Sequence, residues 1–243
     1  MATPRVNYRD QIDSNIILEL PRKRSGTLPN AVRIQQSFLA APEKRLLIWI
    51  AEHTPSRITP DHLTILGFLA QILAGVFYAL AHSNRSSLLA VIFCLALNWL
   101  GDSLDGTLAR VRQQQRPAYG FYVDHMIDSL GALCLMTGLA LSSYMHPHLA
   151  IGLLVAFLLL SIQSYLATCA LGEFHLSFWR FGPTELRLLL AIGNIALLFR
   201  PMIWHGRYRL FDVAGTIGLI GMATMLLFFT AQNTHRLYQQ ERL

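Results

Sequence analysis

Asp102-Ser103-Leu104-Asp105-Gly106-Thr107-Leu108-Ala109-Arg110, followed shortly by Gly120-Phe121-Tyr122-Val123-Asp124-His125-Met126-Ile127-Asp128, decides how this chain is read. The stretch sets four carboxylates and an arginine at the edges of segments that are otherwise apolar. Ionisable groups at such places are costly and mark a functional site by default. Asp102, Asp105, Gly106 and Ala109 fall at i, i+3, i+4 and i+7, which is one face of a helix. Gly120, Asp124 and Asp128 fall at i, i+4 and i+8 on one face of the next helix. Turned together, the two faces make a carboxylate cluster that needs cations to exist.

Outward from this stretch the composition is that of a membrane protein. Of 243 residues, 53% are hydrophobic and only 14% charged, where a soluble domain carries about 25% charged residues. The apolar residues come in six blocks, near 63–81, 86–101, 120–145, 149–171, 186–199 and 213–231. The second runs on as helix through the Asp102 motif. A helix needs about 20 residues to cross a hydrocarbon core of roughly 30 Å. The second, third and fifth blocks reach that length only with their charged ends at head-group level or inside the bundle. The expected fold is an all-α integral membrane bundle of six transmembrane helices. A polar, basic tail over residues 1–42 precedes a membrane domain over 43–243.

Lys and Arg set the orientation. With the N-terminus in the cytoplasm, 16 of the 20 basic residues lie on that side, and Arg85, Arg200, Arg207 and Arg209 on the other. Positive residues favour the cytoplasmic face, so both termini and the aspartate cluster are expected there. The formal charge of +6 reads as this bias plus attraction to anionic lipid head groups, not as a nucleic-acid surface. The short run Arg22-Lys23-Arg24 reads the same way. Residues 1–30 lack an apolar core and do not read as a secretory signal.

Between the tail and the first span, Glu43–His53 reads as a short amphipathic helix lying in the cytoplasmic interface. Leu46, Leu47 and Ile50 form its apolar stripe, with Glu43, Lys44 and Arg45 off it. Pro42 suits its start and Pro55 its end. Thr59 or Asp61 is expected to cap the first span. Cys94, Cys134 and Cys169 are scattered through apolar segments without metal-ligand spacing and read as packing residues.

The cluster's chemistry narrows the function. Hard divalent cations, Mg²⁺ or Mn²⁺, take carboxylate oxygen and substrate phosphates. His125 is the one His or Cys near the aspartate faces, which argues against zinc. Two cations ~3.5–4 Å apart clamp a diphosphate and stabilise an in-line displacement. Small residues at Gly106, Ala109 and Gly120 leave room for a bulky ligand, and Arg110 suits a bidentate phosphate contact. Small residues also serve helix packing, and paired aspartates also serve ion pathways, so a carboxylate-relay transporter is the alternative from another class. A catalytically silent scaffold is a third; loss of a motif aspartate would mark it, and none is lost.

The pattern Asp-x2-Asp-Gly-x2-Ala-Arg-x9-Gly-x3-Asp-x3-Asp, matched at Asp102, Asp105, Gly106, Ala109, Arg110, Gly120, Asp124 and Asp128, resembles the signature of the CDP-alcohol phosphotransferase (phosphatidyltransferase) family. The six-span count and the preceding amphipathic helix resemble it too, from about residue 43 onward. The resemblance implies a metal-dependent transferase of phospholipid biosynthesis. It would move a substituted phosphoryl group from a CDP-linked donor, foremost CDP-diacylglycerol, to an alcohol, releasing CMP. It implies Asp102, Asp105 and Asp124 as metal ligands. Asp128 is implied as both a partial ligand and the base that deprotonates the acceptor. Gly106, Ala109, Arg110 and Gly120 are implied as contacts of the CDP moiety. A homodimer is a family expectation.

Three residues stay open. The Asp124-His125 pair resembles the choline- and ethanolamine-phosphotransferase branch, which passes a phospho-head group to a lipid alcohol; a plain hydrogen-bonding role for His125 stands beside that. Arg180 and Arg187, in an aromatic-rich loop on the motif side, read either as phosphate contacts or as positive-inside anchors. No motif names the acceptor alcohol.

Overall fold

A computed structural model describes residues 32–34, 40–171, 173–175 and 182–241. The Arg22-Lys23-Arg24 run and Arg180 lie outside the described residues. In chain order the elements are β1 (Val32–Ile34), α1 (Ala40–His53), α2 (Pro60–Leu80), α3 (Ser87–Val111), α4 (Pro117–Leu141), α5 (Pro147–Leu171), β2 (Glu173–His175), α6 (Pro183–Phe199), β3 (Met202–Ile203), β4 (Tyr208–Arg209) and α7 (Leu210–Gln240). The strands are brief: β1 pairs in parallel with β2, and β3 with β4 as a hairpin. The other regular elements among the described residues are helices.

The helix limits follow local chemistry. Thr59 caps α2: its hydroxyl accepts the His62 N–H at 3.3 Å, and its own N–H donates to His62 Nδ1 at 3.2 Å, a reciprocal box that satisfies two N-terminal donors. Proline begins α2, α4, α5 and α6, where its missing N–H costs nothing. The last helix runs on through its polar end to Gln240, past the 213–231 block, because no Pro or Gly interrupts residues 222–240.

Four of these helices, α2, α3, α5 and α7, are long and apolar enough to cross a membrane. The 25 residues of α4 include Asp124, His125 and Asp128 in its first half. The 17 residues of α6 span about 25 Å at 1.5 Å per residue.

The central helix is α2, packed against α3 on one side and α4 on the other. Both crossings run through glycine. A Cβ on Gly101 would stand 2.6 Å from the Gly67 nitrogen and 2.6 Å from the Leu63 carbonyl. A Cβ on Gly138 would fall onto the Gly75 carbonyl, and one on Gly75 onto the Cys134 carbonyl. Small residues let helix backbones touch where lipid offers no hydrophobic drive. Two apolar cores result. The larger gathers Tyr78, Leu88, Val91, Leu139, Leu153, Leu197 and others away from the motif. The smaller joins Leu47 and Ala51 of α1 to Leu63, Leu104 and Leu108 beneath it.

The expected stripe of the short helix is therefore divided. Leu47 packs on α3, while Leu46 and Trp49 face outward. At its end Arg112 donates to the Thr54 and Pro55 carbonyls at 2.8 and 2.9 Å and to the Ile58 carbonyl, satisfying carbonyls at and beyond the helix terminus.

A candidate active site at one end of the bundle

The motif end of the bundle gathers the start of α2, the end of α3, the start of α4 and the start of α6. Between α2, α3 and α4 lies a cleft lined by Thr64, Gly67, Phe68, Asn98, Asp102, Asp105, Asp124, Ile127 and Asp128. All four motif aspartates thus meet in one place, two from each stripe. The crossing at Gly67 and Gly101 brings α2 and α3 together directly under them. The free volume is about 10 Å³, enough for a water-sized or ion-sized occupant and too small for a diphosphate.

Each carboxylate is held differently. Asp105 is buried, 8% exposed; its Oδ2 accepts the Thr64 hydroxyl at 2.6 Å and its Oδ1 the Gly106 N–H. Asp102 Oδ2 is bound by Arg187 Nη2 at 2.7 Å. Arg187 Nε also donates to Asn98 Oδ1 at 2.7 Å, and Asn98 Nδ2 donates to the Gly67 carbonyl at 2.9 Å. Asp124 is exposed at the mouth and Asp128 half-buried one turn deeper. Four carboxylates in one cleft repel one another, and the Arg187 guanidinium on Asp102 offsets part of that. The donor set is hard oxygen, which fits Mg²⁺ or Mn²⁺. Among the described residues, no three carboxylate, imidazole or thiolate groups already converge as a ligand shell.

The small motif residues behave unlike the packing glycines. A Cβ on Gly120 would meet nothing within 4 Å, and one on Gly106 only the Arg110 guanidinium, at 3.5 Å. Neither glycine is demanded by helix packing. Arg110 folds back along its own helix to donate to the Thr107 hydroxyl at 3.1 Å, and Ala109 beside it is half-buried. From α1, Lys44 comes close enough for burial, and then the Arg110 charge, to hold its ammonium below the usual lysine range. A second, open depression is lined by Thr59, Pro60, Asp61, Gln114, Gln115 and Arg116, from the start of α2 and the α3–α4 connection. Arg116 pairs there with Asp61 and lies 4.2 Å over the Tyr119 ring.

The sequence profile of the family described as CDP-alcohol phosphatidyltransferase matches residues 57–232, which contain the whole cleft. The chain belongs to the CDP-alcohol phosphatidyltransferase family. Within known proteins it is similar to the inner membrane protein YnjF of Escherichia coli K12, 36% identical over 149 residues, covering 56% of this chain and 69% of that one. It is also similar to the archaetidylinositol phosphate synthase of Pyrococcus horikoshii, 38% identical over 84 residues, 35% of this chain and 42% of that one. The fold is shared with the crystal structure of the phosphatidylinositol phosphate synthase of Mycobacterium tuberculosis with CDP-DAG bound. The TM-score is 0.56 at 20% identity, over 80% of this chain and 94% of that one. The family and its members' names mark the chain as a membrane transferase of phospholipid synthesis.

Several residues in or beside the cleft escaped the sequence reading. Asn98, 4% exposed, lies one turn before Asp102, so extending the aspartate face backwards by four residues would have found it. Thr64 lies just inside α2, past the Thr59 and Asp61 cap positions, and reaches Asp105 only across the α2–α3 contact. Glu43 and Thr184 carry no local signal, since they join the site through contacts 56 to 141 residues apart. His125 packs against Phe121 at 4.2 Å and Tyr165 at 4.7 Å, its Nδ1 2.5 Å from the Phe121 carbonyl, and is not among the cleft-lining residues.

Proposed function

We propose that this protein transfers a phosphatidyl group from CDP-diacylglycerol to an alcohol, releasing CMP, with Asp102, Asp105, Asp124 and Asp128 as the centre of the reaction. The observation that carries this is the meeting of all four motif aspartates in one cleft, with unfilled space at Gly120 beside it. The CDP-DAG seen in the Mycobacterium tuberculosis enzyme supports the choice of donor.

The chain's own groups take the following parts. Asp102, Asp105 and Asp124, with Asp128 in part, would hold Mg²⁺ or Mn²⁺. Those cations would neutralise the diphosphate and the departing CMP. Arg110 binds a phosphate oxygen at the mouth, and Gly106, Ala109 and Gly120 let the nucleotide lie against the helix backbones. The depression at Gln114, Gln115 and Arg116 supplies amide and guanidinium groups for the nucleotide's polar edges. Asp128 takes the proton from the acceptor hydroxyl. The alcohol oxygen then bonds to the phosphorus bearing the lipid as the bond to the CMP oxygen breaks, and CMP leaves with that electron pair. Direct attack is favoured because the motif contains no Cys nucleophile, its Ser103 and Thr107 hydroxyls are spent on Glu43 and on the Ser103 carbonyl, and its His125 ring packs on Phe121 and Tyr165 rather than lining the cleft.

Helices α2 to α7 are the six spans, with α4 and α6 supported by their neighbours rather than by apolarity alone. Residues 43–243 form the transferase unit. The aspartate end and both termini face the cytoplasm, where the basic residues concentrate, and α1 lies at that surface with Leu46 and Trp49 toward lipid.

The test is CMP release from CDP-diacylglycerol against a panel of alcohols, with CDP-ethanolamine and a lipid alcohol as a parallel arm. Release should need both acceptor and divalent cation, and EDTA should abolish it until Mg²⁺ or Mn²⁺ is restored. Substrate flux into vesicles without CMP release would instead support the transporter. A second expectation concerns Gly120→Ala. Because the added methyl meets only open space, the unfolding temperature should stay level or rise slightly. Donor KM should rise about tenfold, the scale of one misplaced methyl in a fitted pocket. An unchanged donor KM would remove Gly120 from the donor site.

A further inference from the structure

Glu43 of α1 is the meeting point of three helices. Its Oε1 accepts the Trp99 indole N–H at 2.7 Å, the Thr184 hydroxyl at 2.9 Å and the Ser103 hydroxyl at 3.3 Å. Trp99 and Ser103 are one turn apart on α3, and Thr184 sits in the first turn of α6. One turn further along α6, Arg187 binds Asn98 and Asp102, the residues immediately before Trp99 and Ser103. The α3–α6 junction is therefore built of two adjoining polar rungs. The outer one centres on Glu43 and the inner one on Arg187, and the inner rung ends on a motif aspartate.

We propose that Glu43 is a positioning residue of the active site. By tying the starts of α1 and α6 to α3, it holds Arg187 against Asp102 and so fixes the direction of that carboxylate. The consequence for turnover rests on the transferase reading; the tie between the rungs does not.

The physical reason is local. Arg187 reaches α3 through a long side chain with several rotatable bonds, and its grip on Asp102 depends on where the α6 backbone starts. The Thr184 bond sets that start against α3 with Glu43 as the shared acceptor. Groups that orient a metal-ligating carboxylate typically alter cation affinity 10- to 100-fold when removed. What Glu43 supplies is an acceptor oxygen at the right reach, and Gln keeps that oxygen.

The test uses the full chain in detergent and follows Mn²⁺ binding by electron paramagnetic resonance, alongside thermal unfolding without added cation. Glu43→Ala should weaken Mn²⁺ binding about tenfold, and Thr184→Val should act in the same direction. Glu43→Gln should restore the affinity. In the Glu43→Ala, Arg187→Ala double variant the Mn²⁺ affinity should match that of Arg187→Ala alone, because both remove one linked unit. The unfolding temperatures should show the same non-additivity. Additive effects in the unfolding cycle, or a Glu43→Gln variant as damaged as Glu43→Ala, would overturn the proposal whether or not Mn²⁺ binds. A coupled cycle in a protein that releases no CMP would leave Glu43's role intact and sink the transferase reading instead.

Discussion

Asp128→Asn should bind the CDP-linked donor as the unaltered protein does and fail to transfer. Asn has the shape of Asp, so the cleft wall formed with Ile127 and Asp124 is kept. What is lost is the ability to take a proton. A positioned general base contributes roughly 10²- to 10⁴-fold, so kcat for CMP release should drop by about that factor while donor affinity stays within a few-fold. Three carboxylates, Asp102, Asp105 and Asp124, remain for cations. The pair of measurements is CMP release at saturating acceptor and equilibrium binding of labelled CDP-diacylglycerol. Turnover near the unaltered rate would move the base role to another group; loss of donor binding would make Asp128 chiefly a ligand.

Gly138→Val should have the largest structural effect of any single change considered. The α2–α4 crossing has backbone against backbone at Gly75, Cys134 and Gly138. A side chain there cannot be absorbed by rotating a neighbour, so the helices must part. Overpacking against movable side chains already costs about 1–3 kcal/mol, and a main-chain obstacle raises that. Because Asp124 and Asp128 ride on α4 while Thr64 and Gly67 belong to α2, the same displacement opens the cleft. The expected result is a marked fall in unfolding temperature together with weaker divalent-cation binding. Gly221→Val on α7, where an added Cβ meets nothing within 4 Å, is the control and should change far less. Equal unfolding temperatures for the two variants would show that the α2–α4 contact is not the closely packed crossing described here.

The motif was the most legible part of the chain. Period 3.6 placed Asp102, Asp105, Gly106 and Ala109 on one stripe and Gly120, Asp124 and Asp128 on another, and the aspartates of both stripes line one cleft. The start of α2 was legible in part, since Thr59 was one of two expected caps and is the one that caps it; α4, α5 and α6 begin at prolines two or three residues before their apolar blocks. Helix ends were less legible: α7 continues beyond its apolar block, because polarity alone does not stop a helix.

The meaning of glycine could not be assigned from sequence. Gly101 and Gly106 stand five residues apart on α3, yet one is pressed against Gly67 and the other faces only Arg110. The choice between packing and ligand space depends on what the neighbouring helix presents. Arg187 shows the same limit: sequence offered a phosphate contact or a surface anchor, while the structure pairs it with Asp102 and Asn98.

By itself, then, the sequence determined the helical membrane class, the two carboxylate faces and the family, because hydropathy and helical period are local and the motif's spacing is unbroken. Only the tertiary structure decided which glycines are crossings, that Thr64 and Asn98 join the aspartates, that Arg187 of α6 binds Asp102, and that Glu43 of α1 bonds to both α3 and α6. Those facts are contacts between residues distant along the chain, and helix packing, not any local preference, brings them within bonding distance.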